Sequence, residues 1–225
     1  IKSNANFHTS DPSISPASVE LLWEDKSGLI SILTLDSEDG YATFMTSDQE
    51  GNALIAAKDE EGTILWSWHI WCTDKPGEHT YINYQNQTFN VMDRNLGVTR
   101  ADRGTGEEWK ESVGLHYQWG RKDPFTFGNR RSEYTLTIDQ TIQNPTRTGP
   151  WRWMNESTHS YTTYMYLWSD SLKTIYDPCP VGYKVAPSTI WTGFAKNGLS
   201  TNGGNVNFED YNVSGSFDHG WNFIY

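Results

Sequence analysis

Glycine recurs at positions 28, 40, 51 and 62, and each time it closes an acidic polar cluster: Glu24-Asp25-Lys26-Ser27-Gly28, Asp36-Ser37-Glu38-Asp39-Gly40, Ser47-Asp48-Gln49-Glu50-Gly51 and Asp59-Glu60-Glu61-Gly62. A stretch punctuated this often has little room for helices. Between the clusters lie residues 19–23, 29–35, 41–46, 52–58 and 63–73, which are of strand length and rich in β-branched or aromatic side chains. Glycine supplies the positive φ that tight hairpin turns need, and Asp or Ser caps the turn backbone. The expectation for residues 19–75 is an antiparallel β meander or sandwich of about five strands. Residues 1–18, with Pro12 and Pro16 among Ser and Asn, read as an arm or linker.

The last of these strands, Ile64-Leu65-Trp66-Ser67-Trp68-His69-Ile70-Trp71-Cys72, has two unlike faces. At period two, Trp66, Trp68, Ile70 and Cys72 share one side, and Leu65, Ser67, His69 and Trp71 share the other. The first side is wholly apolar and suits a core. The strand is expected to be shared by the two halves of the chain, because the rhythm breaks at Lys75-Pro76-Gly77 and long polar loops follow. In the second half, short helices are expected near 107–117 and 187–194, and strands over 81–91, 132–138 and 160–168. The fold class is therefore β-rich α+β with few short helices.

Charge narrows the partners. The formal net charge of −11 and pI near 4.9 disfavour nucleic acid and anionic membrane surfaces, which demand basic patches, and favour glycans or proteins. No apolar run approaches the length of a bilayer-spanning helix, so no membrane insertion is expected, and the first residues lack the apolar stretch of a signal peptide. Cys72 and Cys179 are too few for a disulfide scaffold or a Cys-rich zinc site. They could form one bridge, but the buried-strand reading of Cys72 favours free thiols.

Several segments in order carry a resemblance: Gly51-Asn52-Ala53-Leu54-Ile55-Ala56 leading into the tryptophan strand, Val91-Met92-Asp93-Arg94-Asn95-Leu96-Gly97, Gly114-Leu115-His116-Tyr117-Gln118-Trp119-Gly120-Arg121-Lys122-Asp123-Pro124-Phe125, and Tyr176-Asp177-Pro178-Cys179-Pro180-Val181-Gly182-Tyr183-Lys184-Val185. Over residues 41–225 the chain resembles Bacteroidetes cell-surface and fimbrial tip-like adhesins with a Fibrobacter succinogenes major paralogous domain. The resemblance implies a C-type-lectin-like domain over 76–225, an extracellular place on the bacterial surface, and adhesion. Other fimbrial subunits are implied as further partners. Two departures stand out: Cys72 occupies a position where the family suggests an aliphatic residue, and the family continues beyond Gly220-Trp221-Asn222-Phe223-Ile224-Tyr225, so the domain is expected to be incomplete at its C-terminus.

Trp151-Arg152-Trp153 sits in a polar region and is followed by Tyr161, Tyr164, Tyr166 and Trp168; of this aromatic series Trp151, Arg152, Trp153, Tyr161 and Tyr164 are the expected ligand-binding group. An aromatic ring stacks on the apolar face of a pyranose while Arg, Asn or Asp take its hydroxyls. The competing reading of these rings is core filling in an irregular fold. Arg121-Lys122-Asp123, followed by Pro124, is expected to form a charged turn with which Asp93-Arg94 pairs across the fold, the ion pairs pinning loops; ligand contact is the competing reading. Asn202-Gly203-Gly204-Asn205-Val206-Asn207 with Glu209-Asp210 offers oxygen ligands but matches no calcium-binding word, so no metal and no cofactor are expected. The six histidines form no His-Glu-x-x-His pair and no Gly-x-Ser-x-Gly elbow occurs, so no catalytic residue is expected. Adhesion to glycan or protein is the leading expectation, a structural pilus or assembly subunit the alternative, and a carbohydrate-active enzyme the third.

Overall fold

The computed structural model describes residues 14–82, 86–101, 105, 108–126, 135–149, 166–169, 171–187, 190, 215–216 and 222–223. Among them the chain is β-rich, every paired strand is antiparallel, no barrel closes, and only two short helices occur. Strands β1 (Ser18–Glu24), β2 (Ile30–Asp36), β3 (Tyr41–Thr46), β4 (Gly51–Lys58) and β5 (Ile64–Cys72) occupy the five segments between the glycine clusters.

Their connectivity is not a meander. The strands form a three-stranded sheet in the order β1-β4-β5, and β2-β3 pair as a separate ribbon. The reason is legible in the side chains. In β4, Ala53, Leu54, Ile55, Ala56 and Ala57 form an unbroken apolar run, all buried, which requires cover on both faces and so the middle of a sheet. In contrast, β2 and β3 carry polar residues between apolar ones and bury one face only.

Gly51 also departs from expectation. Gly28 and Gly40 have φ of +76° and +73° and turn the chain, whereas Gly51 is the first residue of β4. It is required by space: a Cβ there would lie 2.6 Å from Asp25 Oδ1. That carboxylate accepts from the Asn52 backbone amide at 2.7 Å and from Asn52 Nδ2 at 2.8 Å, tying the end of β1 to the start of β4.

The apolar face of β5 divides between two clusters. Ile70 and Cys72 pack with Leu29, Ile30, Ala53, Leu21, Leu33 and Phe44, which places the β2-β3 ribbon over one end of the sheet. Trp66 and Trp68 pack with Leu136, Leu167, Tyr176, Ile138, Ile142, Ile175 and Ile14. Ile14, from the expected arm, is thus part of the core, and Ala17 already donates to the Lys58 carbonyl at 2.7 Å. Full burial of side chains such as Leu29, Leu54, Ile55 and Leu167 contributes about 1.5–3 kcal/mol each before ordering costs.

Helix α1 (Trp109–Val113) lies inside the expected 107–117 span, while α2 (Ile138–Gln143) replaces the end of the strand expected at 132–138. The Thr137 hydroxyl accepts from Gln140 N and the Gln140 side chain accepts from Thr137 N, a capping box that starts the helix. The strand expected over 81–91 is instead a hairpin of β6 (Glu78–Ile82) and β7 (Thr88–Met92). Asn86, at φ +61°, adopts the left-handed conformation between them. Short strands β8 (Gly215–Ser216) and β9 (Asn222–Phe223) pair near the C-terminus. The helix expected at 187–194 and the strand expected at 160–168 lie largely outside the described residues.

The chain divides into two compact units. Unit 1 comprises residues 1–74, 96–99 and 113–185, and unit 2 comprises 75–95, 100–112 and 186–225. The chain leaves unit 1 after Asp74 and returns to it twice, so β5 shares its core with segments far along the sequence.

Candidate functional site

The second face of β5 carries a buried polar layer, built entirely within unit 1. Asn52 Nδ2 donates to Asp25 Oδ2 at 2.8 Å and to the Gly97 carbonyl at 2.9 Å, which leaves Asn52 Oδ1 as an acceptor 3.0 Å from His69 Nε2. His69 therefore carries its proton on Nε2, and Nδ1 accepts from the Tyr117 hydroxyl at 3.3 Å. The result is a one-directional chain, Tyr117 to His69 to Asn52 to Asp25. Burial pushes the His69 imidazole down to about 4. Burial also pushes the Tyr117 phenol up, with the nearby Cys179 and Asp123 adding to it, so it remains a donor. A one-residue bulge at Leu22 sets Trp23 opposite Leu54, bringing its ring within 6.5 Å of the imidazole. Gly97 belongs here by necessity: φ is +81° and a Cβ would sit 2.6 Å from Leu115 Cγ.

One turn along β5, Ser67 Oγ donates to Asp123 Oδ1 at 2.8 Å, and Lys122 Nζ donates to the Ser67 carbonyl at 2.9 Å and to Asp123 Oδ1 at 2.6 Å. Lys122 also lies 4.5 Å over the Trp66 ring. Burial lowers the Lys122 ammonium and the Asp123 carboxylate opposes that shift. The group resembles a nucleophile constellation in composition, but Ser67 is 2% exposed and its hydroxyl is committed to Asp123. It fastens segment 114–126 to the edge of β5.

Arg121 fastens the next layer. Its side chain is buried over the Phe125 ring at 4.7 Å and donates to the carbonyls of Arg147 at 2.5 Å and Asn144 at 3.3 Å, past the end of α2. Gln118 adds a two-way link to Gly149, at 2.8 and 3.0 Å. Asp177 organises segment 173–185 by accepting from Lys173 Nζ, Cys179 N and Val185 N at 3.0, 2.9 and 2.9 Å. Cys72 and Cys179 are both free thiols. In unit 2, Asp93 pairs with its neighbour Arg94 at 2.8 Å.

This framework presents one aromatic surface among the described residues. Gly120, at φ +81°, lets the chain close on Leu167, where a Cβ would lie 2.9 Å from Leu167 Cδ1. The neighbouring indoles, Trp119 and Trp168, are thereby brought to 5.1 Å at a 53° tilt. Trp168 is held by its Nε1 donating to the Tyr176 carbonyl at 2.8 Å, and Trp119 keeps 36% of its surface exposed. Tyr166 and Leu172, which flank Trp168 in sequence, are 57% and 45% exposed.

Trp151, Arg152, Trp153, Tyr161 and Tyr164, the residues expected to bind ligand, lie outside the described residues. Trp168 ends the aromatic series that the sequence offers as a sugar-binding surface, whereas Trp119, 49 positions before it in another segment, carries no mark that links the two. The available signal was Gly120 beside Trp119. Among the described residues no group of three or more His, Cys, Asp or Glu side chains is arranged to hold a metal ion, and no helix is long and apolar enough to cross a membrane. Compared with known family models, curated proteins and solved structures, the chain matches none.

Proposed function

We propose that this chain is a bacterial cell-surface adhesion protein, extracellular and C-type-lectin-like in its second half, that binds glycan or protein through loops beyond residue 75. The observation that carries the reading is the Trp119–Trp168 pair: two indoles side by side at the surface, one fixed by a hydrogen bond and the other half-open to water. Rigid aromatic rings at a surface suit the apolar face of a sugar, which they bind at little cost in side-chain entropy. The buried ionic layer supports the same reading. Arg121, Lys122 and Asp177 are spent on holding irregular segments in place, the arrangement a binding module uses to present loops from a rigid scaffold. The negative charge directs the choice toward neutral glycans over sulfated or sialylated ones. In this reading Ser67, His69 and Lys122 are scaffold and no side chain acts as a catalyst.

The test is a glycan array probed with the full chain, followed by titration of any hit against Trp119→Ala and against Trp151→Ala with Trp153→Ala. Loss of a stacking indole is expected to weaken binding about tenfold or more. An array without hits, or affinities unchanged by every indole substitution, would sink the glycan reading.

A further inference from the structure

Ile32, Tyr41 and Met45 are 64%, 69% and 55% exposed, and all three stand on the β2-β3 ribbon. The inner side chains of that ribbon, Ile30, Leu33 and Phe44, are packed into the core with Leu29 and Ala53. Its outer face is open: Tyr41, Thr43 and Met45 alternate outward along β3, with Met45 opposite Ser31 at the edge of the bulge that contains Ile32. Ile32 has φ +50°, a conformation that a β-branched residue rarely adopts and that Asn or Gly would hold without strain. The sequence therefore places a strained side chain and an apolar stripe in water at the same spot, a combination that costs stability in the free chain.

Charge says what would cover it. Residues 30–50 contain Asp36, Glu38, Asp39, Asp48 and Glu50 and no lysine or arginine. Asp36 is paired with Tyr41 at one end of the stripe, and Asp48 and Glu50 follow the other end. A second copy would bring the same carboxylates against these, and nucleic acid or anionic lipid has the wrong sign.

We propose that the outer face of the β2-β3 ribbon docks an extended segment of a partner polypeptide in which a short apolar stretch is flanked at both ends by lysine or arginine. The apolar side chains cover Ile32, Tyr41 and Met45, and the cations meet the carboxylates at either end. This surface shares no residue with the Trp119–Trp168 pair, and the proposal stands whether or not that pair binds a glycan.

The probe is a short fluorescent peptide with a valine-rich centre and lysines at both ends, titrated by anisotropy against the full chain at low and high salt, with the matching peptide that carries glutamates at its ends beside it. The lysine peptide is expected to bind, to weaken with salt and to protect amides of residues 30–46 from exchange, while the glutamate peptide does not bind. Tyr41→Ser with Met45→Ser is expected to weaken binding about tenfold or more, and Asp36→Asn with Glu38→Gln to flatten the salt dependence. Ile32→Asn keeps docking separate from folding: it is expected to lower affinity while leaving the melting temperature unchanged or higher. No binding of the lysine peptide, or equal binding by all variants, overturns the proposal. So does dimerisation that these same substitutions abolish, which would make a second copy the occupant.

Discussion

His69 makes the stability of unit 1 depend on pH in a calculable way. Its imidazole is held near pKa 4 by burial, against 6.5 for the free side chain, so between those values the unfolded chain binds a proton that the folded chain refuses. Stability is therefore fully present above about pH 6.5, falls as the pH drops, and levels off once the folded imidazole also titrates, near pH 4. The depression of about 2.5 units corresponds to about 3 kcal/mol in all, of which about 2 kcal/mol is lost between pH 6.5 and pH 5. The carboxylates of Glu24, Asp93 and Glu108 are all held below the ordinary range by hydrogen bonds, first from Ile30 N, Arg94 and Thr105 N respectively, so their losses come at lower pH. The perturbation is His69→Gln, whose amide can donate to Asn52 and accept from Tyr117 but does not titrate. Urea unfolding of both proteins at pH 7, 6 and 5, with a nuclear magnetic resonance titration of His69 Cε1–H, checks the argument. The difference in stability between the two proteins is expected to shift by about 2 kcal/mol in favour of the variant from pH 7 to pH 5. Parallel pH profiles, or a His69 resonance that titrates near its free value, would refute it.

Two further outcomes follow from the polar framework. Arg121→Ala removes the guanidinium that donates to the carbonyls of Asn144 and Arg147 and is expected to cost about 3 kcal/mol or more in urea unfolding, with Arg121→Lys recovering only part because an ammonium lacks the fork. Burial, with Asp177 nearby, pushes the Cys179 thiol up to about 12, so alkylation by iodoacetamide at pH 8 is expected to be slow in the folded chain and to rise on unfolding; equal rates would contradict its burial.

The elements that the sequence made legible are those whose cause is local. Four of the five strands of the first 74 residues, β1 to β4, end where acidic glycine clusters stand, because a turn is decided by a few neighbouring residues. Pairing is decided elsewhere. Reading each glycine as a hairpin turn implied that β1 meets β2, whereas the unbroken Ala53–Ala57 run required β4 to take the central place, and that pattern was visible in the sequence. The strand expected over 81–91 is divided between β6 and β7, and Asn86, which lies between them, adopts positive φ without being glycine, so alternation alone did not mark the break. Helix α2 starts at the capping-box sequence Thr137-Ile138-Asp139-Gln140, a local helix signal that stands against the alternation predicting a strand over 132–138.

The polar layer was legible only in part, for a different reason. The pinning role expected of Arg121-Lys122-Asp123 matches their geometry, but the atoms they hold, the Ser67 hydroxyl and the carbonyls of Asn144 and Arg147, are 20 or more positions away and carry no mark in the sequence. The same distance separates structural from available aromatic rings. Trp66 is buried, half-buried Trp68 packs against the same cluster, and half-buried Trp71 donates to the Val98 carbonyl at 3.2 Å, so the tryptophan-rich strand that dominates the sequence uses its rings to hold the fold. The aromatic surface arises at Trp119 and Trp168, where a glycine permits a close approach, and the apolar surface arises at Ile32, Tyr41 and Met45, where a bulge turns a side chain outward. These two surfaces differ in what they can attract: fixed rings beside a clamped loop suit an uncharged, flat-faced ligand, and an apolar stripe between carboxylates suits a cation-bearing chain. A single partner satisfying both would need a glycan and a basic segment together, so substitutions at one surface are expected to leave binding at the other unchanged.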